Sequence, residues 1–173
     1  RSSDLALLKS MQHEIHTLVN WANKPDKVSR SILKENCDFR INQLNESLQV
    51  KGDLGERMYG AVLKARGDNS RKVILIGADC PGLNRDIIRK TFTLLDKTDC
   101  VLGPAVDGGY YLLGSRLCHP GLFPDTKWGS KCVLRDTISS LDENGISYHL
   151  LKKQNDIDFI EDWNQYLKSI GRK

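Results

Sequence analysis

The sequence predicts a single α/β domain with three layers, in which helices cover both faces of a mostly parallel central sheet. Segments with the period of a helix alternate along the chain with short apolar runs typical of strands. The run at residues 73–76 is apolar throughout, which is typical of a strand buried on both faces of a parallel sheet. The chain has 173 residues, the length of one domain, and can bury a core without a disulfide or metal staple.

The first part of the chain predicts two helices and two strands. Apolar residues at helical spacing predict one helix near residues 5–11 and another near residues 25–33, where Pro25 fits the first turn. Alternating apolar and polar residues predict a strand at residues 15–21, and a short second strand is predicted at residues 39–41.

The middle of the chain predicts two helices on either side of the buried strand. An amphipathic helix begins at Leu54 and ends at Gly67, because glycine favours the backbone conformation that ends a helix. The buried strand covers residues 72–77. Asn84 then caps the next helix, since its side chain can accept a hydrogen bond from a free amide of the first turn.

Two more helices are predicted in the last part of the chain. Ser130 caps one that Gly145 ends, and Asp158 begins the other, with Glu161 three positions on as in a capping box. Short apolar runs predict the remaining strands, which lie at residues 100–102, 110–113 and 146–151.

Composition narrows the functional classes. A net charge of +4 suits a small anionic ligand and does not call for nucleic acid. The five cysteines are an odd number without a C-x-x-C pair, as expected for reduced thiols in the cytoplasm. No apolar run approaches the ~20 residues of a membrane helix, and no dinucleotide-binding, P-loop or nucleophile-elbow motif is present. We therefore expect a cytoplasmic protein that binds neither nucleic acid nor a membrane.

Two acidic segments are candidates for holding a divalent cation. Asp79 follows the buried strand, at the edge where open α/β sheets bind ligands, and its carboxylate is a ligand that Mg²⁺ or Mn²⁺ prefers. The alternative is a loop aspartate that accepts backbone amides in a turn. Asp156 and Asp158 point to the same side of an extended segment, where both could face one cation. The alternative is that Asp158 only caps the last helix.

A short acidic and glycine-rich sequence, Asp107-Gly108-Gly109, lies between two apolar runs. One interpretation is a hairpin turn, for which this sequence is a common signal. The other is a ligand-binding loop, in which the two glycines let the backbone approach a ligand that Asp107 faces.

The start of the amphipathic helix is a further candidate, with the sequence Gly-Asp-Leu-Gly-Glu-Arg at residues 52–57. Backbone amides at a helix N-terminus attract phosphate, and Arg57 adds a fixed positive charge there. The alternative is a capped helix with an exposed arginine.

Three blocks of sequence, in this order, resemble one known family. They are GDLGERM at residues 52–58, GADCPGL at residues 77–83 and GPAVDGGYYLLG at residues 103–114, followed by Trp128 and the Asp-Ile-Asp sequence at residues 156–158. Together they resemble the bacterial glycosyltransferase-A-like proteins associated with radical-SAM enzymes and arsenosugar biosynthesis. The blocks are more distantly similar to the molybdenum-cofactor and 2-phospholactate guanylyltransferases.

The resemblance implies the nucleotide-diphospho-sugar transferase (GT-A) fold and a metal-dependent transferase. It implies that Asp79 and Asp158 bind Mg²⁺ or Mn²⁺, and that Asp107 faces the acceptor, where it is the candidate catalytic base. The substrates implied are a sugar nucleotide or a nucleoside triphosphate and a small-molecule acceptor. The residues implied to bind nucleotide or substrate are Gly52, Leu54, Gly55, Arg57, Asp79, Gly108, Gly109 and Tyr110.

The family begins with a strand and a basic loop that this chain does not show, so we expect one domain over residues 1–173 that lacks an amino-terminal segment. The function expected first is transfer of a glycosyl group. Transfer of a nucleotidyl group to a phosphorylated small molecule is the alternative, and a non-catalytic domain on a degenerate GT-A scaffold is the second alternative.

Overall fold

The elements of the fold come from a computed structural model, which describes residues 17–21, 44–67, 71–77 and 82–154. In chain order these elements are β1 (Thr17–Trp21), β2 (Leu44–Leu48), α1 (Leu54–Gly67), β3 (Val73–Ile76), α2 (Arg85–Leu94), β4 (Cys100–Pro104), β5 (Tyr110–Ser115), a short 3₁₀ helix (Pro120–Leu122), α3 (Val133–Glu143) and β6 (Tyr148–Leu150).

A mixed four-stranded sheet, with the order β3-β5-β4-β6, is the larger of the two sheets in these residues. Strands β4 and β6 are parallel, whereas β5 is antiparallel to both β3 and β4. Strands β1 and β2 form a separate parallel pair. The expected mostly parallel pairing is therefore wrong for this sheet, although β3, β4 and β6 share one direction. The physical reason is the tight turn between β4 and β5, which returns the chain antiparallel to β4.

Helices α2 and α3 cover opposite faces of the four-stranded sheet. One apolar cluster contains Val101 and Leu112 together with residues of α2, and the other contains Leu102 and Leu113 together with residues of α3. Neighbouring residues of a strand point to opposite faces, so these clusters lie on the two sides of the sheet. Helices on both faces agree with the predicted layers.

The helix ends show which capping predictions hold. The predicted cap of α2 is confirmed, because Asn84 Oδ1 accepts a hydrogen bond of 3.0 Å from the amide of Ile87. Helix α1 begins at Leu54 and ends at Gly67, as predicted. The predicted cap Ser130 is wrong, since α3 begins at Val133 with Cys132 as its N-cap. The Ser130 hydroxyl instead accepts a bond from the Cys132 amide, the local turn that serine commonly forms.

Strand β2 is not predicted by the local sequence pattern. Its residues, Leu-Asn-Glu-Ser-Leu, place three polar side chains in succession and include no β-branched residue. Pairing with β1 along the full strand forms it, and such long-range pairing is invisible to local propensity. The predicted helices near residues 5–11 and 25–33, the strand at 39–41 and the helix that begins at Asp158 lie outside the described residues.

Asp99 connects three strands at one end of the sheet. Its carboxylate accepts a bond of 2.5 Å from the Ser147 hydroxyl and one of 2.9 Å from Arg116 Nε. The Ser147 hydroxyl, aided by Arg116, lowers the pKa of Asp99 below its ordinary value. These bonds fix the start of β4 to the end of β5 and the segment ahead of β6. No helix in the described ranges is long and apolar enough to span a bilayer.

Candidate functional site

A cavity of about 460 Å³ lies between the first turns of α1, strand β3, the β4–β5 turn and the loop before α3. This volume is within the range of small-molecule sites. Its walls are mainly apolar, with a few polar side chains. The described residues that line it are Gln49, Leu54, Arg57, Met58, Ala61, Ile74, Leu75, Ile76, Gly77, Asp107, Gly109, Tyr110, Tyr111, Leu112, Leu113, Trp128, Gly129, Ser130 and Val133.

A capping box holds the first turn of α1 at the cavity. The Asp53 amide donates to the Glu56 carboxylate and the Glu56 amide donates to Asp53 Oδ1, both at 2.8 Å. Arg57 Nε donates to the Asp53 carbonyl at 3.1 Å, and Nη1 donates to Gln49 Oε1 at 3.3 Å. The guanidinium is therefore held at the cavity wall by two partners.

The β4–β5 turn places Asp107 in the cavity wall. Asp107 Oδ1 accepts a bond of 2.8 Å from the Gly109 amide, so the hairpin-turn interpretation is correct. Gly108 has a φ of +97°, which side-chain-bearing residues rarely adopt. Its carbonyl accepts a bond of 2.9 Å from the amide of Leu134, which ties the turn to the first turn of α3. The same turn contributes Asp107 and Gly109 to the cavity lining.

Trp128 lies directly against α1. A β-carbon on the buried residue Gly55 would lie 2.6 to 2.9 Å from the Cζ2, Cε2 and Nε1 atoms of this indole. The close approach of helix and ring therefore requires glycine at position 55. Trp128 is half-buried and lines the cavity.

Tyr110 forms part of the wall between α1 and the sheet. Its hydroxyl donates to the Met58 sulfur at 4.0 Å, and burial, with a smaller contribution from Cys100, raises its pKa above the ordinary value. The phenol therefore stays neutral at physiological pH. Asp107 is the carboxylate that the described residues bring to the cavity.

The structure brings five of the predicted site residues to the cavity wall, which are Leu54, Arg57, Asp107, Gly109 and Tyr110. Three other predicted residues, Gly52, Gly55 and Gly108, do not line the cavity. They act on the structure around the cavity instead. Gly52 and Gly108 adopt backbone conformations with positive φ, and Gly55 lets Trp128 pack closely against α1.

The predicted metal ligands Asp79 and Asp158 lie outside the described residues. Described residues that flank the two segments lie close together: a β-carbon on Gly82, three residues after Asp79, would overlap the side-chain oxygen of Gln154, four residues before Asp158. Gly77, at the end of β3, lines the cavity. Within the described ranges, no three His, Cys, Asp or Glu side chains form a group that could hold a metal ion. Asp107 alone does not provide such a site.

Sequence reasoning missed several lining residues, of which Trp128 and Met58 are the most informative. Both occur in the recognised sequence blocks but carry no predicted role. The Trp-Gly-Ser sequence could have identified Trp128, because it indicates a loop. Binding residues lie disproportionately on loops, so a large aromatic residue there is a candidate for ligand contact.

The fold is similar to that of solved structures from two bacteria. The structure is similar to the crystal structure of a candidate nucleotide-diphospho-sugar transferase from Desulfovibrio desulfuricans G20, with a TM-score of 0.80 and 25% identity. That match covers 97% of this chain and 73% of the other. Rv0371c from Mycobacterium tuberculosis H37Rv matches with a TM-score of 0.55 and 12% identity, covering 96% of this chain and 83% of that one. The second likeness shows the fold alone.

No curated protein matches the chain. The likeness to the Desulfovibrio protein supports a place in the nucleotide-diphospho-sugar transferase superfamily. A family model described as an uncharacterized protein conserved in bacteria, DUF2064, matches residues 16–130, which is more than half of the chain. The chain belongs to this bacterial family, DUF2064.

Proposed function

We propose that the protein transfers a glycosyl group from a sugar nucleotide to a small-molecule acceptor, using the cavity between α1 and the β4–β5 turn. The observation that carries the proposal is the convergence of Arg57, Asp107 and Tyr110 on one cavity from distant positions in the chain. The similarity to a candidate nucleotide-diphospho-sugar transferase gives independent support.

Asp107 is the base in the proposed reaction. In glycosyl transfer, the acceptor oxygen bonds to the anomeric carbon while the bond from that carbon to the diphosphate breaks. The acceptor hydroxyl must lose its proton, and a carboxylate within hydrogen-bond reach can take it. Asp107 Oδ1 is held by the Gly109 amide, which orients the group toward the cavity and leaves Oδ2 to accept the proton.

Arg57 orients the substrate in this proposal. Its guanidinium has five N–H donors, and the bonds to Asp53 and Gln49 fix its plane at the cavity wall. The remaining donors can bind substrate oxygen atoms. A donor fixed before the substrate arrives loses little entropy on binding, which favours a defined pose.

A divalent cation forms part of the proposal. Asp79 and Asp158 would hold Mg²⁺ or Mn²⁺, whose positive charge offsets the charge of the leaving diphosphate. The supporting facts are the position of Asp79 two residues after a cavity-lining glycine, Gly77, and the contact between Gly82 and Gln154 in the flanking segments.

Calorimetric titration with UDP-glucose, GDP-mannose and CDP-glucose, with and without Mn²⁺, tests the proposal. We expect binding of at least one of them that requires the cation, and weakening of about tenfold or more in Arg57→Ala. Arg66→Ala is the matched control, because Arg66 belongs to the same helix and bonds the Arg71 and Arg116 carbonyls away from the cavity.

Analysis of products identifies the reaction. Release of a nucleoside diphosphate supports glycosyl transfer, whereas pyrophosphate released from a nucleoside triphosphate would replace it with nucleotidyl transfer. The absence of binding by all three sugar nucleotides would contradict the proposal and favour a non-catalytic domain.

A further inference from the structure

The charge of the cavity wall indicates which part of a sugar nucleotide it suits. Among the described lining residues, Arg57 is the cation and Asp107 the anion, so their formal charges cancel. A diphosphate carries multiple negative charges and needs an excess of cationic donors or a metal ion. A neutral ring that bears hydroxyl groups needs both donors and acceptors, and this wall provides them.

The polar atoms of the wall match the hydroxyl groups of a sugar. Arg57 offers donors, and Asp107 Oδ2 accepts no bond from a described residue. Ser130, whose hydroxyl can donate and accept, also lines the cavity, in the loop before α3. Apolar side chains of Leu54, Met58 and Val133 form much of the remaining surface.

Trp128 provides a large flat surface, and the fold holds it in place. The indole edge rests on Gly55, and its loop is fixed by a bond of 2.6 Å from the Thr126 hydroxyl to Asp136 in α3. Gly55 lies in the first turn of α1, where the β-carbon of an alanine would displace the indole.

We propose that this cavity binds the sugar ring of the sugar nucleotide, stacked on Trp128, and that the diphosphate lies outside it. The inference rests on the proposed function and deepens it. Trp128 is a substrate-contacting specificity residue, Arg57 and Ser130 bind the ring hydroxyls, Asp107 stays at the edge of the ring to meet the acceptor, and Gly55 positions the indole. An aromatic side chain is suited to this role because it gives a large contact area at low entropic cost.

The test compares a sugar nucleotide with the matching nucleoside diphosphate, both titrated in the presence of Mn²⁺. The probe is whichever of UDP-glucose, GDP-mannose and CDP-glucose the wild-type protein binds most tightly. We expect Trp128→Leu to lower the affinity for the sugar nucleotide by about 10- to 30-fold, as loss of an aromatic anchor does. Its effect on the nucleoside diphosphate should stay within about twofold.

Gly55→Ala tests the positioning of the indole without removing it. Like Trp128→Leu, it should lower the affinity for the sugar nucleotide and leave the affinity for the nucleoside diphosphate nearly unchanged. Gly60→Ala is the matched control: it lies in the same helix, and its β-carbon would lie 2.8 Å from Val50 Cγ2, outside the cavity lining. We expect this control to bind both ligands as the wild type does.

Tryptophan fluorescence tests whether the ligand contacts the indole, because a tryptophan with a purely structural role should not change its emission when the ligand binds. The chain has three tryptophans, and Trp128→Phe keeps an aromatic ring at the site while removing one emitter. We expect the sugar nucleotide to change tryptophan emission in the wild type and not in Trp128→Phe, although calorimetry still detects binding by the variant. Because phenylalanine preserves an apolar ring, this variant also covers the case in which leucine prevents folding.

Three results would overturn the inference. Equal weakening of both ligands by Trp128→Leu would place the diphosphate on the indole, and unchanged affinity for both would exclude contact. Unchanged emission of the wild type on sugar-nucleotide binding would also contradict stacking. In each of these cases the wild-type protein still binds the sugar nucleotide, so the proposed function stands, whereas a wild type that binds none overturns both.

Discussion

The Asp107 carboxylate has two oxygen atoms, and the structure uses one of them to hold a turn. Oδ1 accepts the Gly109 amide at 2.8 Å, while the side chain lines the cavity. The two interpretations that the sequence left open, a hairpin turn and a ligand-binding loop, are therefore compatible at this residue. The turn bond fixes the carboxylate where the proposed acceptor would lie.

Substitution of Asp107 separates the two roles. Asparagine keeps an oxygen that can accept the Gly109 amide, so we expect Asp107→Asn to unfold within about 0.5 kcal/mol of the wild type. Asp107→Ala loses the bond and should unfold with about 1 kcal/mol less free energy. Urea denaturation measures both values.

Turnover distinguishes the base from the turn. We expect both variants to release nucleoside diphosphate from the sugar nucleotide at least about 100-fold more slowly than the wild type, since neither retains a group that can take a proton. An Asp107→Asn variant of unchanged rate would exclude Asp107 as the base.

At the scale of the elements, the β4–β5 turn and the start of α3 form one unit. The Gly108 carbonyl accepts the Leu134 amide, and a β-carbon on Gly108 would lie 2.6 Å from the Lys131 α-carbon. Neither the loop before α3 nor the turn can shift independently of the other. The turn carries Asp107 and the loop carries Trp128, so these contacts link two parts of the cavity wall.

Replacement of Gly108 should disrupt this unit. We expect Gly108→Ala to lower the free energy of unfolding by about 3 kcal/mol, because strain at its φ of +97° adds to the overlap with Lys131. Gly145→Ala is the matched control, since it has a φ of +64° and no neighbouring atom within 4 Å of an added β-carbon. We expect that control to lose about 1 kcal/mol. Equal losses in thermal or urea unfolding would show that the contact with Lys131 is unimportant.

The junction at Asp99 predicts a dependence of stability on pH. The Ser147 hydroxyl and Arg116 lower the pKa of Asp99 in the folded protein. A carboxyl whose folded pKa is lowered stabilises the protein above its unfolded pKa of about 3.9, and this stabilisation is lost as the pH falls through the folded value.

Ser147→Ala removes the largest cause of that shift. We expect it to lower the free energy of unfolding by about 0.5–1 kcal/mol above about pH 5, with a difference from the wild type that shrinks below about pH 4. Urea unfolding over this pH range measures the difference. Ser139→Ala is the control, because its hydroxyl bonds Glu143 on the exposed side of α3. A Ser147→Ala deficit that does not vary with pH would rule out ionisation of Asp99 as its origin.

Local patterns predicted most of the described elements, and tertiary pairing accounts for the differences. The bounds of α1 and the cap at Asn84 were predictable because glycine and asparagine have specific backbone roles. Strand β2 was not, since its polar sequence becomes a strand only by pairing with β1. The antiparallel direction of β5 follows from the turn at Asp107. The parallel sheet was predicted from the continuous apolar run of β3, which carries no information about that turn.

The candidate site was only partly predictable from the sequence. Leu54, Arg57 and Asp107 lie in sequence blocks with recognisable spacing, and the cavity brings them together. The contact between Gly55 and Trp128 was not predictable, because it joins positions far apart in the sequence through the absence of a side chain.

For the whole molecule, the proposed function requires that separated segments act as one binding site. The first turn of α1, the β4–β5 turn and the loop before α3 contribute to the same cavity, and each is fixed by its own hydrogen bonds. A site already formed before the ligand arrives should change little in backbone conformation on binding. The binding of a ligand there should instead reduce local opening in all three segments together.

Amide hydrogen exchange with and without the sugar nucleotide and Mn²⁺ measures this directly. We predict slower exchange at residues 53–58, 107–110 and 128–134 when the ligand is bound, and unchanged exchange at residues 140–150, which lie at the end of α3 and in β6. Calorimetric binding that leaves the first three segments unprotected would contradict the account, because the ligand would then occupy a different surface.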